Sequence, residues 1–225
     1  MKVPFLSRSD IALTATTLLG RGLGDSAGSI PVNLEALVFD HLCEHEGLVF
    51  VDDEVLARPG DEEVLGRTEL IAGRISICAA LKERDRRRYR FTVAHELGHW
   101  VLHRPLVLVD REHPELFPRE QVYTTTQSAL LGVGRSVPPE EWQANCFASH
   151  LLIPRAALRR EFVLRHGSEV SLAPPGMSLR EHARSLARAS KHSSGSLSDA
   201  FDASVEATAI AIEDAGLAVD EPFLL

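Results

Sequence analysis

The sequence is poor in anything that would tie a fold together covalently. Its 225 residues include only three cysteines, Cys43, Cys78 and Cys146, an odd count with no CxxC pair. A disulfide framework is thereby excluded as the organising principle, and a reducing, cytoplasmic location is expected. Basic residues are also short, 24 against 32 acidic, for a formal net charge of −8. A chain that gripped nucleic acid non-specifically would carry a basic footprint instead, so no direct nucleic-acid contact is expected. No apolar run reaches the roughly 20 residues needed to span a bilayer, so no membrane partner is expected either. The opening stretch MKVPFLSRSDIALTATTLLG is broken by Arg8, Asp10, Thr14, Thr16 and Thr17. It reads as a short helix capped by Ser9 and stopped by Gly20, not as a signal peptide. Internal repeats are absent.

What is present is an ordinary globular composition, 44% hydrophobic and 25% charged, sufficient to bury a core without staples. VNLEALVFDHLCEHEG predicts a helix capped by Asn33, with Leu34, Leu37, Val38 and Leu42 inward and Gly47 as its end. LVFVDD predicts a strand. A second strand is expected where Ile75 and Ile77 alternate with Arg74 and Ser76, and Cys78 reads as a small core residue. KERDRRRYR (82–90) mixes both signs of charge and predicts a solvated turn. Residues 104–139, rich in proline, predict an irregular segment. Helices are expected through EEWQANCFASHLL up to Pro154, through RAALRREFVLRHG, and through DASVEATAIAIEDAGLA up to Gly216. Tyr89, Tyr123 and Trp142 read as packing residues, and Cys146 as a core thiol. For His150 and Arg155, complementing a helix C-terminus is preferred over steadying an oxyanion.

The chemistry lies in RFTVAHELGHWVLH, residues 90–103. His95 and His99 are four apart, so on a helix they share one face with Cβ atoms about 6 Å apart. Both rings can then reach one ion. Glu96, one residue round the helix, is displaced from ligation but able to reach a water beside the metal, the HExxH arrangement of a general base and two ligands. Phe91, Val93, Ala94, Leu97 and Val101 make the helix apolar, so these polar residues need partners. Gly98 lowers helix propensity by about 1 kcal/mol relative to alanine, which suggests another backbone or a ligand passing close. His103 lies roughly 12 Å along the axis from His95 and cannot join the same ion; it reads as a support or a helix-end residue.

A third ligand must come from elsewhere, and PPEEWQANCFASHLLIP is the natural source. Glu140 and Glu141 both suit the first turn of a helix without any metal. Glu141, however, falls on the same stripe as Ala144 and Ala148, where a buried carboxylate needs a counter-charge. With three protein ligands the site would be open, the catalytic pattern rather than the closed structural one.

Together the two segments resemble the ImmA/IrrE family of metallo-endopeptidase domains, with weaker likeness upstream in PVNLEALV and GLVFV and downstream in FDASVEATAIAIEDAGL. The resemblance implies an α+β fold, a mainly helical zincin-like (gluzincin) domain with a small β-sheet beside the active-site helix. It implies His95, His99 and Glu141 as metal ligands, Glu96 as catalytic base, and one zinc ion, with manganese as a substitute. It also implies a partner: a protein substrate, a helix-turn-helix transcriptional repressor on a separate chain, since no such segment precedes the core. The alternative is a non-cleaving, antitoxin-like module that sequesters its partner. Two positions depart from the family. Gln143 stands where many members have an acidic residue before the Ala-Asn pair, and Ala211-Ile212 replaces a frequent Arg-Leu pair. The expected organisation is an N-terminal helix and linker (1–30), a zincin-like core (31–165) and a C-terminal helical extension (166–225).

Overall fold

The computed structural model describes residues 3–56, 63–109, 122–126, 137–190 and 195–220. The chain is α+β and mainly helical, with a four-stranded mixed sheet and a two-stranded one. No described helix is long and apolar enough to cross a membrane. The residues gather into two units, Met1–Gly24 with Leu34–Leu151, and Asp25–Asn33 with Leu152–Leu225.

The first unit opens with α1 (Arg8–Leu23). Its cap is Ser7 rather than the expected Ser9. The Ser7 hydroxyl accepts from the Asp10 N–H at 3.2 Å while the Asp10 carboxylate accepts from the Ser7 N–H at 3.1 Å, a closed capping box that Ser9 could not form. Gly20 does not stop the helix; the chain turns at Gly24, whose φ is 52°. Residues 34–45 are helical as the apolar spacing requires, but Ala36–Cys43 is wound as a π-helix, and Leu37, Val38 and Leu42 are buried.

Four strands follow: β1 (Val49–Glu54), β2 (Val64–Glu69), β3 (Arg74–Cys78) and β4 (Val122–Thr126), in the order β1-β3-β2-β4. β2 and β3 form an antiparallel hairpin, β1 joins β3 in parallel, and β4 joins β2 antiparallel. The expected strand at Ile75 and Ile77 is present as β3, but alternation in sequence does not become alternation in burial. Ile75, Ser76 and Ile77 are all buried, because both faces of β3 are covered. β2 is buried at Val64, Leu65, Gly66 and Thr68 and shows no strict alternation from which a strand could be predicted.

The expected turn at 82–90 is helical instead: α2 (Ala79–Arg84) and the start of α3 (Arg86–Val109) meet at Asp85. The Asp85 carboxylate accepts from the Arg88 N–H at 3.0 Å and so opens the second helix. α3 continues past Pro105, and β4 also falls in the stretch expected to be irregular; residues 110–121 and 127–136 of that stretch lie outside those described. Residues 92–100 of α3 are buried on every face, and the helix packs on β2, β3 and β4. The last helix of this unit is α4 (Pro139–Leu152), with Ala144, Phe147, Ala148 and Leu151 fully buried.

The second unit holds α5 (Arg155–His166), α6 (Leu179–Arg188), the single turn α7 (Leu197–Ala200) and α8 (Val205–Asp214). Two-residue strands β5 (Ser171–Leu172) and β6 (Ala218–Val219) pair in parallel. Leu158, Phe162, Leu197, Phe201 and Ile212 form its core. Arg155 donates to the Asp214 carbonyl at 2.8 Å, placing a cation at the C-terminal end of α8. All three cysteines are free and only half-buried, so Cys78 and Cys146 are less enclosed than expected.

Candidate metal centre

His95 and His99 are fully buried on α3, and Glu141 stands opposite them in the first turn of α4. What brings the two helices together is a pair of small residues: a Cβ on Gly98 would lie 2.9 Å from the Ala144 Cα. The close backbone approach expected from Gly98 is therefore real, and Ala144 is its partner.

The ligating atoms of His95, His99 and Glu141 all lie within 4.8 Å of one another. The two Nε2 atoms are 3.1 Å apart. His95 Nε2 is 3.3 Å from Glu141 Oε2, and His99 Nε2 is 3.5 Å from Glu141 Oε1. An ion with tetrahedral ligands at about 2.0–2.1 Å holds neighbouring ligand atoms about 3.3 Å apart. The three spacings bracket that value. Glu141 Oε2 is buried with the His95 ring against it at 3.3 Å and no well-formed hydrogen bond, a position that a cation between the two groups would complete. Burial pushes the Glu141 carboxyl up, but the His95 and His99 rings against it outweigh burial and hold it below the usual carboxylate range. Burial lowers His99 to about 3 and His103 below its ordinary value, so both rings are neutral at physiological pH. The neutral His99 imidazole, a second imidazole from His95 and the Glu141 carboxylate are a donor set suited to a divalent cation.

Each ring is held from behind. His95 Nδ1 lies 2.9 Å from Asn145 Oδ1, and His99 Nδ1 lies 3.0 Å from His103 Nδ1. Tyr123 of β4 stacks on the His99 ring, with centroids 4.1 Å apart and planes 9° from parallel. Burial, reinforced by Glu140 and Glu141, raises the Tyr123 hydroxyl to about 12. Glu96 is fully buried beside these residues. Its Oε2 accepts from the Thr68 hydroxyl at 2.6 Å, and its Oε1 has no partner. Burial pushes the Glu96 carboxyl up, opposed by His95 and by the Thr68 hydrogen bond. Room for it comes from β2: a Cβ on Gly66 would lie 2.4 Å from Glu96 Oε1.

Compared with known protein families and with curated proteins, the chain shows no match to either. The site therefore rests on its own geometry. The structure brings His95, Glu96, His99 and Glu141 together. Glu140 is not part of the cluster.

Several residues around the cluster escape a reading of the sequence. Asn145 carried a usable signal, since it lies one helical turn beyond Glu141. Thr68, Gly66 and Tyr123 carried none. They arrive from strands distant in sequence, and Tyr123, expected to serve packing alone, forms one wall of the site.

Proposed function

We propose that this chain is a zinc-dependent endopeptidase of the ImmA/IrrE type. The observation carrying this reading is the triangle of His95 Nε2, His99 Nε2 and the Glu141 carboxylate, with spacings of 3.1, 3.3 and 3.5 Å and the Glu96 carboxyl buried beside it. His95, His99 and Glu141 would hold the ion; one further position would stay open, as in catalytic sites with three protein ligands. When bound, zinc supplies Lewis acidity, polarising a carbonyl and making a water molecule acidic toward about pH 7.

The chain's own residues supply the proton transfers. Thr68 fixes Glu96 Oε2, which leaves Oε1 to accept a proton from the attacking water. Burial raises the affinity of Glu96 for that proton and so suits it to take the proton from the water. The water oxygen bonds to the peptide carbon, the C–N bond breaks, and Glu96 returns the proton to the leaving nitrogen. Asn145 and His103 keep the two rings oriented meanwhile. The substrate class, a helix-turn-helix repressor on another chain, follows from the family resemblance.

The test combines metal analysis with Glu96→Gln. The purified protein should carry one zinc per chain, and E96Q should keep that zinc yet fail to cut a labelled helix-turn-helix repressor that the wild type cuts. Cleavage surviving in E96Q would overturn the assignment of the base. Capture of an intact partner by fully zinc-loaded wild type, with no cleavage, would favour the sequestering alternative.

A further inference from the structure

The proton on His99 is set from a distance. Gln143, on α4, is almost fully buried and bonds in two directions. Its side-chain amide N–H donates to the Pro4 carbonyl at 2.8 Å. A carbonyl can only accept, so the amide nitrogen must face Pro4 and the amide oxygen must face the other way. That oxygen lies 3.0 Å from His103 Nε2, and as an acceptor it requires a proton there. A neutral imidazole carries one N–H, so His103 Nδ1 is then a bare lone pair. His99 Nδ1 lies 3.0 Å from it and must donate. His99 is then left with a bare Nε2, the atom 3.5 Å from Glu141 Oε1 and 3.1 Å from His95 Nε2. The contacts behind the ring all favour one assignment, running from a main-chain carbonyl near the N-terminus to a ligating atom, and they oppose the Glu141 carboxylate, which draws a proton to His99 Nε2.

We infer that Gln143 is a positioning residue which, through His103, fixes the His99 tautomer with its lone pair toward the metal. The inference rests on the zinc reading for its purpose, but the tautomer is a property of the metal-free chain. Without the Gln143 oxygen, His103 has no reason to keep its proton on Nε2. Its Nδ1 can then carry the proton instead, and His99 is driven to present a protonated Nε2 to Glu141. The effect belongs with the supports behind metal-bound histidines, whose loss typically weakens metal affinity by about 10–100-fold. A carboxylate at position 143 can still accept from His103 Nε2, so the part of the relay from His103 onward is kept, while the bond to the Pro4 carbonyl is lost.

The experiment uses the full chain labelled with nitrogen-15. Long-range proton–nitrogen spectra of the metal-free protein near neutral pH should show His99 as the Nδ1–H tautomer and His103 as the Nε2–H tautomer. Zinc affinity is then measured by competition with a chromogenic chelator for wild type, Gln143→Met and Gln143→Glu. Q143M should mix the His99 tautomers and weaken zinc binding by about 10–100-fold, and Q143E should keep the wild-type tautomer and bind within a few-fold of wild type. Wild-type His99 in the Nε2–H form would overturn the inference even if Q143M did not fold. So would equal zinc affinity in Q143M and wild type, or a Q143E that keeps the wild-type tautomers yet loses zinc as Q143M does. Failure of the wild type to bind zinc would sink the zinc reading instead, while the tautomer spectra would still decide the relay.

Discussion

Gly98 and Ala144 touch across two helices, with room at position 98 for a hydrogen and nothing more: a Cβ there would lie 2.9 Å from the Ala144 Cα and 3.1 Å from its carbonyl oxygen. Alanine at position 98 would gain about 1 kcal/mol of helix propensity. Forcing a methyl group against backbone costs about 1–3 kcal/mol. The clash wins, because main-chain atoms cannot swing aside. Gly98→Ala should therefore lower stability by up to about 2 kcal/mol in urea unfolding. It should weaken zinc binding more than an average core substitution does, since His99 and Glu141 flank the contact. Unchanged stability and zinc affinity would show that α3 and α4 are held apart by something else.

Removing metal should show in the melting curve. The three ligating groups are crowded at about one tetrahedral edge, and binding to the native state alone stabilises it by about 2.7 kcal/mol at a hundredfold excess over Kd. For a chain of this size that corresponds to roughly 5–10 °C. Chelation should lower Tm by that amount, added zinc should restore it, and Glu141→Gln should show little response to either.

Thr68 donates to Glu96 Oε2 and thereby holds the carboxyl lower than burial alone would leave it. Thr68→Val removes that donor, so the Glu96 pKa rises further. The acidic limb of the pH–rate profile, which requires Glu96 ionised, should move to higher pH, and the buried oxygen left unpaired should cost about 1–3 kcal/mol of stability. A limb that stays in place would remove Glu96 from the role of base.

The chain has two tyrosines, and both hydroxyls titrate above the ordinary value of 10. Burial is the main cause in each case, joined at Tyr89 by its hydrogen bond to Asp52 and at Tyr123 by nearby carboxylates. A raised folded pKa contributes stability that is fully present below pH 10 and is lost as pH rises from there toward about 12. The native protein should show little tyrosinate absorbance at pH 10, and the denatured protein about half-ionised tyrosine. Equal ionisation in the two states would contradict the partial burial of both hydroxyls.

The sequence made the site legible where its residues sit a turn apart on one helix. His95, Glu96 and His99 share a local period, and Glu141 could be placed because Ala144 and Ala148 mark the buried stripe of α4. Even the backbone approach at Gly98 followed from the low helix propensity of glycine. The strands were harder. β2 reads VLGRTE, and Gly66 and Thr68 interrupt its apolar pattern because that face accommodates Glu96 rather than another hydrophobe. β4 reads VYTTT, without turn signals that single it out in a proline-rich stretch. The charged run 82–90 has the composition of a solvated turn, yet one capping aspartate suffices to make most of it helical. Ser7 and Ser9 are equally good caps by type; only the reciprocal bond with Asp10 decides between them.

Asp25–Asn33 belongs with Leu152–Leu225, although the chain before it and the chain after it belong to the other unit. Neither unit is therefore one continuous stretch of the sequence. Cutting the protein at Leu151 would strand nine residues from the neighbours they are grouped with, and expressing 152–225 alone would omit them. Transplanting the histidine-bearing unit into another protein calls for a short replacement bridge between Gly24 and Leu34, not a single clean cut.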